Sequence, residues 1–311
     1  MITLSFTEQE QLCNASFARL GKVFHLCTPE DHPIIFKTIE DMQTCMSLIG
    51  LVSKLYPDII ILTFEVMTNH MHIVAAGEEN SILSFFHDLR KLLKRNLNSD
   101  QGTIDLRKLE PVLLEIKDID YLRNVIAYVN RNGYAVSPGD SPFSYEWGAN
   151  RFYFNPEAKK RFAVARSPIT QTACQQISHS RKFDHVSGLF TVDGYISPQC
   201  FCDTECGESI FRDARHYFLM ISKNIESLAE IARSVGEKAF YTDDDLFFLI
   251  QSIAKEKHGV SSPGLLPVDA KINLAKMMHF DYSASNKQIS RLLKMDVTTT
   301  NALFPLSAKT K

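Results

Sequence analysis

Residues 58–77 read DIIILTFEVMTNHMHIVAAG. Two apolar stretches rich in Ile, Val and Phe flank the turn-forming pair Thr68-Asn69, and each is too short for a helix between its flanks. The stretch therefore reads as a β-hairpin. Working outward, GKVFHLCT (21–28) reads as a short strand, and IIFKTIEDMQTCMSLIGLVSKLY (34–56) carries apolar residues at helical spacing. Downstream, SILSFFHDLRKLLKRNLN (81–98) is an amphipathic helix and LEPVLLEIKD (109–118) a strand. DIDYLRNVIAYVNRN (118–132) is a third helix, with Gly133 as its end signal. The order β-α-β-β-α-β-α predicts an α+β fold: a ferredoxin-like βαββαβ sandwich, its antiparallel sheet packed on one face by helices, with one further helix.

The chain has 311 residues, long for one compact domain, and its 45% hydrophobic and 23% charged content is that of an ordinary globular protein. No apolar run approaches the length of a membrane span, and MITLSFTEQEQL lacks the basic start and apolar stretch of a signal peptide. The seven cysteines are scattered, which reads as reduced thiols of a cytoplasmic protein. A net charge of −2 excludes a surface coated in basic residues, so any nucleic-acid binding must rest on local charge. Such a concentration occurs in LRKLLKRN, with Arg90, Lys91, Lys94 and Arg95; the bland alternative is a solvated helix face.

On a strand, side chains at i and i+2 leave the same face, so His70 and His72 project together. Two imidazoles so placed reach one metal ion, or serve as hydrogen-bonded core groups. The helix AYVNRN places Tyr128 and Asn132 at i and i+4, on one helical face. Asn132 offers an amide oxygen as a third ligand, with Tyr128 beside it. The alternative makes Tyr128 a half-buried aromatic anchor and Asn132 a helix-end residue.

EVMTNHMHIV, a basic amphipathic helix, YLRNVIAYVNRN and SPFSYEW together resemble the single-tyrosine HUH transposases, and most closely the REP-associated tyrosine transposases. The likeness covers residues 15–155; Thr68 stands where proline is usual, Gly133 replaces the proline of an NP pair, and FSY replaces WSS. The resemblance implies that His70, His72 and Asn132 are metal ligands for Mg²⁺ or Mn²⁺ and that Tyr128 is the nucleophile. It implies nicking and transfer of single-stranded or hairpin DNA through a 5′-phosphotyrosine, the site assembling in one chain or across a homodimer. Tyr121, Tyr134 and Tyr145 are rival tyrosines. Two other readings keep the same residues: a DNA-binding regulator without chemistry, and a phosphodiesterase using water.

These readings divide the chain into a catalytic domain over 1–155, a connecting segment over 156–204 holding one hairpin in GLFTVDGYISPQCF, and a helical region over 205–311. There, Thr242 and Asp245 read as a capping pair. VDAKINLAKMMHFDYSASNKQISRLLKMDVTTTNALF has the shape of a helix-turn-helix, and from Lys271 onward seven basic residues face two acidic ones. Lys287, Arg291, Thr298, Thr299 and Asn301 are its candidate DNA contacts, against the alternative of a bundle that merely packs. Cys200, Cys202 and Cys206 lie close in sequence but lack an obvious fourth metal partner.

Overall fold

The structure, a computed structural model, describes residues 4–30, 33–97, 106, 109–136, 145–223, 231, 241, 243–260 and 262–305. The chain divides into two compact units, residues 1–221 and 222–311. The first opens on a helix absent from the sequence reading, α1 (Phe6–Leu20), announced by the Ser5-Glu8 capping box. Then follow β1 (Val23–Cys27), α2 (Ile39–Ser53), β2 (Ile60–Val66), β3 (Met71–Ala76), α3 (Glu79–Asn96), β4 (Val112–Ile116) and α4 (Ile119–Val136). A second capping box, Thr38 with Asp41, starts α2 several residues later than its apolar periodicity does. Helix α4 runs through Gly133 to Val136, so that glycine is not its end. One helical glycine costs about 1 kcal/mol, which packing of α4 against the sheet outweighs.

The four strands form an antiparallel sheet in the order β2-β3-β1-β4, so each β-α-β crossover skips one strand. The β2–β3 turn is Thr68-Asn69, closed by the Met67 N–H donating to the His70 carbonyl at 2.9 Å. Every residue of β1 and β3 is buried, so both faces of the sheet are covered, not one. Helix α4 lies on the face carrying Thr63, Glu65 and His72, and packs against β2, β3 and β4. Phe64 points the other way, to Phe201 at 5.1 Å, and Phe201 also lies against Gly50 of α2. A Cβ at Gly50 would come within 2.5 Å of the Ile196 side chain, so this approach requires glycine.

Residues 156–204 pack into the first unit instead of merely connecting. They contain α5 (Pro156–Ala165), α6 (Gln171–Ser178) and a small sheet of β5 (Ser167–Pro168), β6 (Phe190–Val192) and β7 (Tyr195–Ile196). The expected hairpin is β6–β7, turned by Asp193 and Gly194 at φ 53° and 89°. It docks on α2 through the Ile196 N–H, which donates to Ser47 Oγ at 3.1 Å. The outer edge of β2 is also covered: the Val66 N–H donates to the Trp147 carbonyl at 2.8 Å and the Asp203 N–H to the Ile61 carbonyl at 2.8 Å. Helices α7 (Thr204–Glu208) and α8 (Ala214–Lys223) follow.

The second unit packs α9 (Asp243–His258), α10 (Val268–Phe280), α11 (Asn286–Leu293) and α12 (Val297–Leu303) around Leu246, Ile250, Met278, Ile289, Leu293 and Phe304. Lys294, at φ 50°, ends α11, and Asp296 caps α12, so the turn between them falls at Met295 and Asp296. Thr242, of the expected capping pair, lies outside the described residues, as does the side chain of Asp245. No described helix is long and apolar enough to cross a membrane.

Candidate functional site

The sheet face under α4 carries an unusual load of polar groups for a core. His72, on β3, is fully buried, and both its ring nitrogens are engaged. Its Nε2 lies 3.0 Å from Asn132 Nδ2 and its Nδ1 3.2 Å from His25 Nε2. The Asn132 amide N–H donates to Nε2, so the His72 proton sits on Nδ1 and points at His25. His70 falls at the end of the hairpin turn, one residue before β3, with its ring edge-on to His72 at 5.1 Å. The Asn69 side-chain N–H donates to the Glu30 carbonyl, which turns Asn69 Oδ1 toward His70 Nδ1 at 2.9 Å. His70 therefore keeps its lone pair on Nε2.

Tyr128 sits one helical turn before Asn132, its ring edge-on to His72 at 5.6 Å and to His25 at 6.3 Å. It is only 4% exposed. The four residues singled out from the hairpin and the helix thus meet, with the phenol packed among the imidazoles and not presented to solvent. Among the rival tyrosines, the Tyr145 hydroxyl donates to the Val66 carbonyl at 2.7 Å, and burial pushes its phenol up. The side chain of Tyr134 lies outside the described residues.

Burial pushes His25 and His70 down to about 4. It takes His72 well below the ordinary histidine value, with His70 and His25 adding to the effect. All three rings are neutral at pH 7, the state in which an imidazole offers a lone pair.

Two further residues belong to this cluster. Strand β1 sends His25 and Cys27 to the same face, and Cys27 is the register partner of His72. One nitrogen from each of His25 and His72 and the Cys27 sulfur lie within 4.8 Å of one another, all fully buried; among the described residues this is the one group of such donors that could hold a metal ion. The HLC of residues 25–27 has the same one-residue spacing as HMH, and that was the available signal. Compared with protein-family models, curated proteins and solved structures, the chain matches none.

Helix α4 is held in place by buried polar contacts. The Thr63 hydroxyl donates to Asn130 Oδ1, Asn130 Nδ2 donates to Tyr217 Oη at 2.7 Å, and Tyr217 donates to Asn150 Oδ1 at 2.6 Å. Arg123 ties α4 to Glu10 of α1 at 2.7 Å and to the Ile210 carbonyl at 2.9 Å.

The basic run on α3 divides. Arg90 pairs with Glu110 at 2.6 Å, whereas Lys91, Lys94 and Arg95 are exposed. In the second unit Lys287, Arg291, Thr298, Thr299 and Asn301 are all exposed. Arg291 pairs with Asp243, and Asn301 Oδ1 accepts from Asn286 Nδ2 at 3.0 Å. The Thr299 N–H is engaged by Asp296 at the start of α12. Of the three clustered cysteines, Cys202 Sγ donates to the Leu62 carbonyl and Cys200 Sγ accepts from the Phe190 N–H, while Cys206 is half-buried. No disulfide joins any of the seven.

Proposed function

We propose that the first unit is a metal-dependent single-strand DNA nuclease of the HUH type, with Tyr128 as nucleophile and His70, His72 and Asn132 as ligands. The observation that carries this reading is the 3.0 Å contact between Asn132 and His72 Nε2, with the rings of His70 and Tyr128 both against His72. The strand order β2-β3-β1-β4 agrees with a ferredoxin-like frame for such a site.

The donor set fits a divalent ion. The imidazoles are neutral, Asn69 and His25 hold the remote nitrogens of His70 and His72, and the Asn132 amide can turn its oxygen inward. Mg²⁺ or Mn²⁺, when bound, supplies Lewis-acid polarisation of the scissile phosphodiester. Tyr128 loses its phenolic proton and forms an O–P bond as the P–O3′ bond breaks. The departing 3′ oxygen takes up a proton, leaving a 5′-phosphotyrosine and a 3′-hydroxyl. To reach a strand, the Tyr128 ring must leave its edge contacts with His25 and His72. Lys91, Lys94 and Arg95 would meet phosphates, while Arg90 is committed to Glu110. In the second unit, α12 would present Thr298, Thr299 and Asn301 to a groove, beside Lys287 and Arg291 on α11.

The burial of Tyr128 favours one alternative, attack by water. Incubation of the full chain with labelled single-stranded hairpin DNA and Mn²⁺, resolved on denaturing gels, separates the two. A covalent protein–DNA adduct that disappears in Tyr128→Phe is the expected result. Cleavage without an adduct, unchanged in Tyr128→Phe, would overturn it.

A further inference from the structure

We infer that His25, Cys27 and His72 form a second, inner metal site, one for a thiolate-binding ion of the Zn²⁺ class and distinct from the site beside Asn132. It rests on the geometry of two neighbouring strands. His25 and Cys27 leave β1 on one face, and Cys27 stands across from His72 of β3.

Two observations make this group fit an ion. First, His25 Nε2 and His72 Nδ1 are 3.2 Å apart. Two imidazole nitrogens on one tetrahedral ion, with bonds of about 2.0–2.1 Å, are about 3.3 Å apart. Second, the Cys27 sulfur lies within 4.8 Å of one nitrogen of each ring, so side-chain movement of about an ångström completes a three-donor shell.

The donor types select the ion. A thiolate and two imidazoles suit Zn²⁺, whereas Mg²⁺ and Mn²⁺ prefer oxygen. Binding replaces the Cys27 S–H proton, which passes to solvent, by a metal–sulfur bond. A neutral imidazole has one lone pair, so His72 serves one ion at a time, through Nδ1 toward His25 or through Nε2 toward Asn132. The titration that tests the inner site is therefore run with neither Mg²⁺ nor Mn²⁺ present.

The probe is Co²⁺ added to the metal-stripped full chain. The expected result is saturation at about one equivalent, with a near-ultraviolet thiolate-to-cobalt band and visible bands of tetrahedral intensity, all removed by Zn²⁺. Cys27→Ser, nearly the same size, should lose the thiolate band, and Cys45→Ser, another fully buried thiol, should keep it. X-ray absorption of the wild-type cobalt complex, which needs no variant, should find one sulfur and two imidazoles. Oxygen and nitrogen scatterers alone, or a thiolate band that survives Cys27→Ser, would overturn the inference. These readouts involve no DNA, so their failure and that of the nuclease reading are distinguishable.

Discussion

Lowering the pH from 7 to 5 should destabilise the first unit by at least about 4 kcal/mol in the absence of metal, the share that His25 and His70 supply. Each has its folded-state value pushed down to about 4 by burial, against an ordinary 6.5. Between those values the unfolded chain binds a proton that the folded chain refuses. Stability is therefore fully present above about pH 6.5 and is lost as pH falls toward 4. For one such group the loss between pH 7 and pH 5 is about 2 kcal/mol, hence about 4 for the two. His72, shifted in the same direction, steepens the slope further. The lowered carboxyls of Glu10 and Asp88 act below this window. The assay is urea unfolding in EDTA at a series of pH values, followed by Trp147 fluorescence. Trp147 is the only tryptophan, and it lies against the edge of β2, so its emission reports the first unit alone. His25→Gln, neutral at every pH in the window, should remove about half of the slope contributed by the two rings. A wild-type stability that changes by less than about 1 kcal/mol from pH 7 to 5 would refute the reasoning, as would a His25→Gln slope equal to wild type.

Two other outcomes follow from the packing. Asn130→Ala strips the Thr63 hydroxyl of its acceptor and Tyr217 of a donor in a fully buried setting, and should lower first-unit stability by about 2–4 kcal/mol. The same fluorescence assay measures it, and a loss under about 1 kcal/mol would mean that the network does not hold α4. Ser285→Ala removes the cap shared with Gln288 and should cost α11 about 1 kcal/mol. Amide exchange over residues 286–293 should then speed up by about fivefold where it proceeds by local opening, with the first unit unaffected.

The local chemistry of the chain was sufficient for the hairpin, for α4 and for the meeting of Tyr128 with Asn132 on one helical face. Alternation, turn residues and helical spacing are properties of neighbouring residues, and burial of the resulting faces reinforces them. Where a feature depended on docking, the same reasoning fell short. Residues 156–204 lack sustained periodicity because their short elements are stabilised by packing on α2 and on the edge of β2. Arg90 reads as part of a basic face, yet its charge is answered by Glu110, twenty residues on.

The sequence by itself determined which residues could carry chemistry: two histidines one residue apart beside a turn, and a tyrosine four residues before an asparagine. The tertiary structure alone decided what stands next to them. Strand β3 has β1 as its inner neighbour, in a register that sets Cys27 across from His72 and His25 diagonally from it. Strand order and register are set by long-range burial of both sheet faces, with β1 and β3 some 45 residues apart, and no periodicity within either strand encodes the pairing. That pairing turns His72 from a ligand on one face of a hairpin into a ring held between Asn132 on one side and His25 and Cys27 on the other.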